Sequence, residues 1–345
     1  MNQLFGSTLN EIQQIVTGLG MPKFTAKQIT EWLYKKGVKD FDQMTNISAK
    51  NRETLKQNFN FGLIPFIKES ISKDGTKKYL FPTLKDWAIE SAYIPDKERA
   101  TLCVSSQAGC RMGCEFCMTG KQGLQHNLTS GEILNQIAML PEREKLTNLV
   151  YMGMGEPMDN LDEVMRSLEI LTSPWGYGWS PSRITLSTCG MIKPLKVFLD
   201  NTSVHLAVSL HNPFGEQRRK IMPVEASNPI SEVVELLKKY DFSHQRRVSF
   251  EYILLENIND SKEHIKELCR LLNGLKCRIN IIRFHRIPGS EFYSPELDRI
   301  IKFRDALTSK GIMTTLRSSR GEDIGAACGL LSTKEKEGGT KIEKN

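Results

Sequence analysis

Three cysteines, Cys110, Cys114 and Cys117, lie in one short segment, Cys-Arg-Met-Gly-Cys-Glu-Phe-Cys. Three thiolates at this spacing can hold three irons of a [4Fe–4S] cluster and leave the fourth iron without a protein ligand. An open iron can chelate the amino and carboxylate groups of S-adenosylmethionine (SAM) and pass an electron to its sulfonium. Gly109 and Gly113 allow the backbone to turn tightly around a bulky cluster. The segment therefore predicts a cluster that cleaves SAM reductively.

A structural zinc site is the alternative reading of the same thiols. Zinc in structural sites is held by four ligands, usually arranged as two separated pairs. The segment supplies three ligands, no second Cys-x-x-Cys pair occurs in the chain, and no histidine follows at zinc-finger spacing. The pattern favours the cluster over zinc.

The chain around these cysteines alternates between strand and helix from about residue 98 onward. The predicted strands are Ala100–Val104, Asn148–Met152, Arg183–Leu186, Val204–Ser209, Arg247–Ile253 and Cys277–Ile282. The predicted helices are Ser130–Leu140, Leu161–Leu171, Ile192–Leu199, Ile230–Tyr240, Ser261–Leu272 and Glu296–Lys310. Such a series predicts an α/β fold, a parallel sheet curled into a partial (β/α)6 barrel with its chemistry at the carboxyl ends of the strands. A last short strand, Ile312–Leu316, precedes the loop that carries Cys328.

The first part of the chain has a different pattern. Helical periodicity over Leu9–Leu19, Ala26–Tyr34 and Ser48–Phe59 predicts a small helical unit rich in lysine. Alternating segments around Asp74-Gly75 predict a β-hairpin. The predicted division of the chain is a helical accessory unit at 1–61, a β extension at 62–97, a barrel with a C-terminal cysteine loop at 98–331, and a disordered tail at 332–345.

The bulk composition predicts a protein with a substantial core. The chain has 345 residues, of which 39% are apolar and 25% are charged. No apolar run approaches the roughly 20 residues needed to cross a bilayer. The N-terminus lacks the marks of a signal peptide, so a cytoplasmic protein is expected. The net charge of +7 permits binding to nucleic-acid phosphates but does not require it.

Several segments form a diagnostic set together: KFTAKQITEWLYKKGV, SKDGTKKYLF, IESAYIP, RATLCVSSQAGCRMGCEFCMTG, YMGMGEPMDN, SLHNP, RRVSFEYILLENIND and RGEDIGAACG. With them the chain resembles the radical SAM superfamily and, more closely, the adenine-C2 methyltransferases of 23S ribosomal RNA and transfer RNA. The similarity covers residues from about 5 to 331. The RGEDIGAACG segment is the most specific of the set.

The resemblance implies a mechanism that uses residues outside the cluster loop. A first SAM methylates Cys328, and a second SAM is cleaved at the cluster to a 5′-deoxyadenosyl radical. This radical takes hydrogen from the sulfur-bound methyl group, which then adds to C2 of the target adenine. Cys103 is implied to resolve the adduct by deprotonation and a transient disulfide with Cys328. Glu90 matches a position with a proton-acceptor or adenine-orienting role.

The chemistry of adenine gives this scheme a physical reason. C2 is electron-poor and carries no acidic proton, so a SAM methyl group cannot be transferred to it by simple displacement. A thiolate, in contrast, is a competent nucleophile toward SAM. The methyl group that it takes up then offers an abstractable hydrogen.

The resemblance also implies a set of SAM contacts at the strand ends: Gly155, Glu156, Ser187, Ser209, Leu210, His211 and His285. From the sequence alone, several of these residues are equally consistent with turns and strand-end caps. His285 departs from the family, in which asparagine is frequent at that position. Leu330 also departs, because glutamine is usual two residues after the methylated cysteine.

The resemblance implies two RNA targets, adenosine 2503 of 23S rRNA and adenosine 37 of tRNA. Both bases must be reached outside a duplex stack. The basic helical unit is the predicted RNA-binding element, flavodoxin or ferredoxin is the expected electron donor, and a monomer without membrane contact is expected. Three alternatives stay open: methylation at C8 of adenine, radical SAM chemistry on a non-RNA substrate, and a non-enzymatic metal-containing RNA-binding protein.

Overall fold

The structure, a computed structural model, describes residues 2–242 and 247–331. The predicted tail at 332–345 lies outside the described residues. The N-terminal unit comprises β1 (Asn2–Gln3), α1 (Leu9–Gly18), α2 (Thr25–Thr30), which continues as a π-helical turn over Glu31–Lys36, α3 (Ala49–Asn58) and β2 (Phe59–Asn60). β1 and β2 pair in parallel and so bring the two ends of the unit together.

The helices of this unit begin and end where local chemistry predicts. Thr8 and Glu11 form a reciprocal capping box at the start of α1. Gly37 ends the second helix in the left-handed conformation, with φ of 62°. Ile12 and Val16, four residues apart on one face of α1, are fully buried. The three helices predicted from periodicity are therefore present.

Three antiparallel strands follow: β3 (Lys68–Ile71), β4 (Lys77–Pro82) and β5 (Ala88–Asp96). β3 and β4 form the hairpin predicted around Asp74-Gly75, and β4 pairs next with β5. We call β3–β5 the extension. Its last strand pairs antiparallel with the first strand of the barrel, so that the extension continues the main sheet.

The remaining strands and helices are β6 (Arg99–Cys103), β7 (Gln107–Cys110), α4 (Met118–Lys121), β8 (Gly123–Asn127), α5 (Ser130–Ala138), β9 (Asn148–Tyr151), α6 (Leu161–Thr172), β10 (Ile184–Thr188), α7 (Ile192–Asn201), β11 (His205–Ser209), α8 (Gly215–Ile221), α9 (Ile230–Leu237), β12 (Val248–Leu254), α10 (Lys262–Leu271), β13 (Arg278–Arg283), α11 (Leu297–Ser309) and β14 (Met313–Leu316). The sheet order is β14-β13-β12-β11-β10-β9-β6-β5-β4-β3. Its strands β6, β9, β10, β11, β12, β13 and β14 are parallel, whereas β7 and β8 form a separate antiparallel pair. The predicted α/β partial barrel is confirmed, with β14 as a seventh parallel strand. The β1–β2 pair, the β7–β8 pair around the cysteines, α4 and α8 were not predicted.

Strand residues alternate between two environments. In β13, Ile279 and Ile281 are fully buried, whereas Arg278 and Asn280, which alternate with them, are partly exposed. Successive residues of a strand point to opposite faces of its sheet. The apolar set packs in the main core, and the polar set lines a cavity enclosed by the parallel strands. We call this cavity the lumen. Within the described ranges, no helix is long and apolar enough to cross a membrane.

The N-terminal unit contacts the barrel through a close backbone approach. A side chain on Gly6 would overlap the backbone of Gly131, and one on Gly131 would lie 2.6 Å from the carbonyl oxygen of Phe5. Ser130 Oγ donates to the Gly6 carbonyl at 2.8 Å. Beside this contact, the buried ring of Tyr34 lies 5.8 Å from that of Tyr177. The unit is therefore packed against the N-terminus of α5.

This close approach predicts that Gly131→Ala destabilises the protein. Overpacking of a tight contact costs about 1–3 kcal/mol, which exceeds the helix-propensity gain from alanine. We expect a lower thermal unfolding midpoint. The matched control is Gly18→Ala in α1, where nothing lies within 4 Å of an added Cβ. This variant should unfold at or slightly above the wild-type temperature. An unfolding midpoint for Gly131→Ala at or above that of the wild type would contradict the docking geometry.

Candidate functional site

The three cysteines lie on a loop that the β7–β8 pair holds at both ends. Cys110 is the last residue of β7, and Cys114 and Cys117 precede α4. Gly109 has φ of 75°, and a Cβ there would overlap the carbonyl oxygen of Gly123 on β8. Glycine at 109 is thus required by the pairing of the two strands. The loop follows β6 and lies at the carboxyl ends of the parallel strands.

All three thiols share one electrostatic environment. Burial raises the pKa of Cys110 to about 12, and it also raises the pKa of Cys114 and of Cys117. The negative charge of each thiolate would raise the pKa of its neighbours further. Such thiols need a bound cation to become thiolates. Among the described residues, no three His, Cys, Asp or Glu side chains are grouped as ligands of a single metal ion. The loop supplies three thiols, a number that suits a [4Fe–4S] cluster with one open iron better than a four-ligand structural zinc site.

A cavity of about 160 Å³ lies directly against the loop. It is lined by Cys110, Cys114, Cys117, Gly155, Glu156, Ser187, Ser209, His211 and Cys328, among others. Most of the predicted SAM contacts thus meet the predicted cluster ligands at one place. Leu210 and His285 do not line this cavity.

Glu156 is a buried carboxylate held by backbone amides. Its oxygens accept from the N–H of Cys189 at 2.8 Å and the N–H of Met158 at 3.0 Å. Burial raises the pKa of Glu156, while these hydrogen bonds oppose that shift. The Thr188 hydroxyl and the Cys189 thiol also hydrogen-bond to this carboxylate. Glu156 lines the cavity, where a negatively charged carboxylate would attract an ammonium group.

His211 is a buried imidazole with one nitrogen already bonded. Its Nδ1 accepts from the N–H of Ile253 at 3.0 Å, and its ring meets Phe116 edge-on. Burial lowers the pKa of His211 to about 3, so the ring is neutral at physiological pH. The other nitrogen then carries the proton and is a hydrogen-bond donor.

Ser187 and Ser209 line the cavity from the ends of β10 and β11. Leu210 differs from them, because its side chain is fully buried in the core. Its N–H donates to the Glu251 carbonyl and its own carbonyl accepts from Arg218. A Leu210 side-chain contact with a ligand in the cavity is therefore not provided by the structure.

His285 lies above the lumen, in the segment after β13. It lines the larger cavity together with Cys328. Its Nε2 lies 2.9 Å from Ser319 Oγ, and its Nδ1 lies 3.2 Å from a carboxylate oxygen of Glu322. Both ring nitrogens are thus engaged within the protein.

Cys328 and Cys103 are 225 positions apart in sequence but lie close together in the fold. Cys103, on β6, packs with Ala326, two residues before Cys328. Burial raises the pKa of Cys103 to about 12, Cys328 raises it further, and the nearby Arg317 guanidinium lowers it. Cys103 is buried and Cys328 is exposed. All eight cysteines are free thiols, so the implied transient disulfide is not formed in this structure.

The loop that carries Cys328 is bonded to the cysteine loop. The Met118 N–H donates to the Gly329 carbonyl at 2.9 Å, and Thr119 Oγ1 donates to the Leu331 carbonyl at 2.7 Å. Leu330 packs in an apolar cluster with Phe116. Cys328 consequently lines both the small cavity and the lumen.

Glu90 lies on β5, behind these cavities. It is buried, and its carboxylate pairs with Lys78 on β4 at 3.0 Å. The Lys78 ammonium also lies beside Gly325 in the C-terminal loop. Glu90 lines neither cavity. The structure therefore brings Glu90 to the edge of the Cys328 loop and not to the cavity against the cluster loop.

Two arginines were missed by the sequence analysis. Arg218, fully buried on α8, donates to the carbonyls of Cys189, Ser209 and Leu210 and pairs with Glu225. Arg317 pairs with Glu251 at 3.3 Å and lines both cavities. A signal for Arg218 existed, because it lies three residues before the buried Ile221 on one helix face. Nothing in the sequence marked Arg317.

Comparisons with known proteins agree with this geometry. Residues 2–60 match the family model described as the ribosomal RNA large subunit methyltransferase N-terminal domain, and residues 104–272 match the radical SAM superfamily. A probable dual-specificity RNA methyltransferase RlmN from Phocaeicola vulgatus is 56% identical, covering 99% of this chain and 98% of the relative. The dual-specificity RNA methyltransferase RlmN of Campylobacter lari is 41% identical, covering 97% of this chain and 98% of its own.

A solved structure shares the whole fold. The crystal structure of a radical SAM methyltransferase from Sphaerobacter thermophilus aligns with a TM-score of 0.89 and 38% identity. The alignment covers 96% of this chain and 99% of that one. The superfamily brings a [4Fe–4S] cluster and SAM as cofactors, and the three converging thiols and the adjoining cavity fit that pair. The chain belongs to the RlmN family of radical SAM RNA methyltransferases.

Proposed function

We propose that the protein methylates C2 of adenosine 2503 in 23S rRNA and of adenosine 37 in tRNAs, using Cys328 as the methyl carrier. The observation that carries the proposal is the position of Cys328. Its thiol lines both the cavity against the cluster loop and the lumen, and it lies beside Cys103. A methyl group on this sulfur would therefore face the cofactor site on one side and the lumen on the other.

Two different groups of residues would hold the two cofactors. Cys110, Cys114 and Cys117 would hold the cluster through three thiolates, and Glu156 with the neutral His211 would hold SAM by hydrogen bonds. Gly155, Ser187 and Ser209 complete that side of the cavity, with His285 at the edge of the lumen. When bound, the cluster supplies the single electron that turns SAM into a hydrogen-abstracting reagent. The buried Glu156 would orient the amino group of SAM before that electron arrives.

Cys328 and Cys103 have different tasks. The exposed Cys328 thiolate attacks the methyl group of SAM, so a sulfur–carbon bond forms as the sulfonium–carbon bond breaks. Cys103 would later take a proton from the RNA adduct and then, as a thiolate, attack the Cys328 sulfur. The sulfur–sulfur bond would form as the bond from Cys328 to the methylene carbon breaks; its electron pair would pass to the adenine, and a proton would complete the methyl group. Because burial favours its neutral thiol, Cys103 depends on the Arg317 guanidinium to stabilise the thiolate. The disulfide must be reduced before the next turnover.

Glu90 and the N-terminal unit would act on the RNA side. Glu90, fixed by Lys78 beside the C-terminal loop, is proposed as the proton acceptor or adenine-orienting group. Lys23, Lys27, Lys35 and Lys39 are exposed on the helical unit and are available to RNA phosphates. We further propose a monomeric enzyme that works in the cytoplasm and receives electrons from flavodoxin or ferredoxin.

Substitution of the two catalytic cysteines predicts opposite outcomes. Cys328→Ala should abolish methylation and give no protein–RNA adduct, because no methyl carrier remains. Cys103→Ala should accumulate the adduct, because its resolution is blocked. Denaturing gels detect the adduct, and mass spectrometry of digested RNA detects 2-methyladenosine.

Cys269→Ala on α10 is the control for these two variants and should behave as wild type, because Cys269 lies outside both cavities. Retained methylation in Cys328→Ala would overturn the carrier role. A product that is mainly 8-methyladenosine would overturn the C2 assignment.

Cluster binding can be tested separately from activity. After anaerobic reconstitution with iron and sulfide, Cys114→Ser should lose most of its bound iron and its visible absorbance, since one of three protein ligands is missing. Cys269→Ser should load like the wild type. Equal iron content in Cys114→Ser and wild type, or zinc as the tightly bound metal in both, would contradict the cluster assignment.

A further inference from the structure

The lumen is a larger cavity than the one against the cluster loop, and its charge is unbalanced. Its volume is about 610 Å³, within the range of sites that hold a nucleotide-sized group. Six arginines line it, against the two carboxylates of Asp96 and Glu251. Glu251 is paired with Arg317, and Asp96 is paired with Arg320 at 3.2 Å. The remaining four arginines are Arg99, Arg247, Arg278 and Arg283.

Three of these arginines form one group, which we call the arginine rim: Arg99, Arg247 and Arg278. Arg99 is the first residue of β6, Arg278 is the first residue of β13, and Arg247 directly precedes β12. All three therefore lie at the amino ends of parallel strands, at the lower end of the lumen. Within residues 2–242 and 247–331, no carboxylate forms an ion pair with any of them. Their charges are available to a polyanion.

Other parts of the chain border the lumen at its upper end and toward the extension. Its upper end is covered by the loop that carries Cys328. The side toward the extension is bridged by the loop after β14, where Ser72 Oγ donates to Asp323 at 2.6 Å and the Gly321 N–H donates to Asp74 at 3.0 Å. At the lower end, the side chains of Arg99, Ser182 and Arg247 line the lumen and are exposed.

A continuous path joins the rim to Cys328. Arg278 and Ile282 belong to one strand and both line the lumen, and Ile282 also lines the small cavity. Four residues of parallel strand span about 13 Å. A base that reaches Cys328 would therefore have its own or neighbouring phosphates near the lower end. Along this path the wall carries hydrogen-bonding side chains, including Asn148, Ser249 and Asn280.

We propose that an unpaired RNA segment enters the lumen through its lower end, and that Arg99, Arg247 and Arg278 bind the phosphates next to the adenosine that reaches Cys328. The inference rests on the proposed RNA methylation and names the route by which RNA reaches that site. Guanidinium groups suit the task because they bind phosphate through two parallel hydrogen bonds. The rim is distinct from the lysines of the N-terminal unit, which would hold the outer part of the RNA.

The test measures how full-length, cluster-loaded protein binds a tRNA transcript at a series of salt concentrations. The variants are Arg99→Gln, Arg247→Gln and Arg278→Gln, singly and combined, and the combined Arg→Lys variant. Each lost phosphate contact should lower the slope of log affinity against log salt by about 0.7, so the triple glutamine variant should lose about 2 from the slope. Its Kd should rise at least tenfold, and the lysine variant should keep most of the slope.

Arg270→Gln on α10 is the matched control, because this exposed guanidinium pairs with Glu267 on the same helix. It should keep the wild-type Kd and slope. Thermal unfolding of each variant identifies any loss of folding, and the single substitutions decide the result if the triple variant does not fold. Wild-type Kd and slope in the rim variants would overturn the rim while leaving the proposed methylation intact. A wild-type protein that neither binds RNA nor forms 2-methyladenosine would overturn both.

Discussion

The geometry of the site depends on the attachment of the C-terminal loop to the cysteine loop. Two hydrogen bonds make this attachment, from Met118 N–H to the Gly329 carbonyl and from Thr119 Oγ1 to the Leu331 carbonyl. The second bond closes a stretch of 212 residues. An exposed cysteine at the end of a chain has no fixed neighbour unless its backbone is held. Here the backbone on the far side of Cys328 is held against α4, which begins directly after Cys117.

A buried guanidinium organises the opposite wall of the same cavity. Arg218 donates to the carbonyls of Cys189, Ser209 and Leu210, which lie at or just after the carboxyl ends of β10 and β11. Strand ends of a parallel sheet would otherwise present unpaired carbonyls in a low-dielectric region, which is costly. Glu225 balances the buried charge. The polar groups predicted to contact SAM are thus presented by a network that is satisfied without a ligand.

The sequence predicted most of the fold because strand and helix patterns are local. The alternation of Arg278, Ile279, Asn280 and Ile281 identifies a strand with one polar face, and the periodicity of Leu9–Leu19 identifies α1. The β7–β8 pair was missed because its strands are short and polar. Other features depend on long-range packing, which no local pattern records. They are the positions of His285 and Leu210 relative to the cavity, the ion pair of Glu90 with Lys78, and the position of Arg317 against both cavities. The roles of these residues and the division into 1–61, 62–97 and 98–331 stay predictions.

The proposed entry of RNA through the lower end of the lumen bears on how a substrate is selected. A lumen of about 610 Å³ has room for a nucleotide-sized group but not for a double helix. A nucleotide must therefore unstack from its neighbours before it enters. Unstacking costs about a few kcal/mol of free energy, because stacking within the RNA is lost. RNAs in which one adenosine is already splayed out incur less of this cost. The enzyme would then select its RNA substrates by their local structure and only slightly by their sequence. Two unrelated RNAs that present the same extruded base would both be substrates.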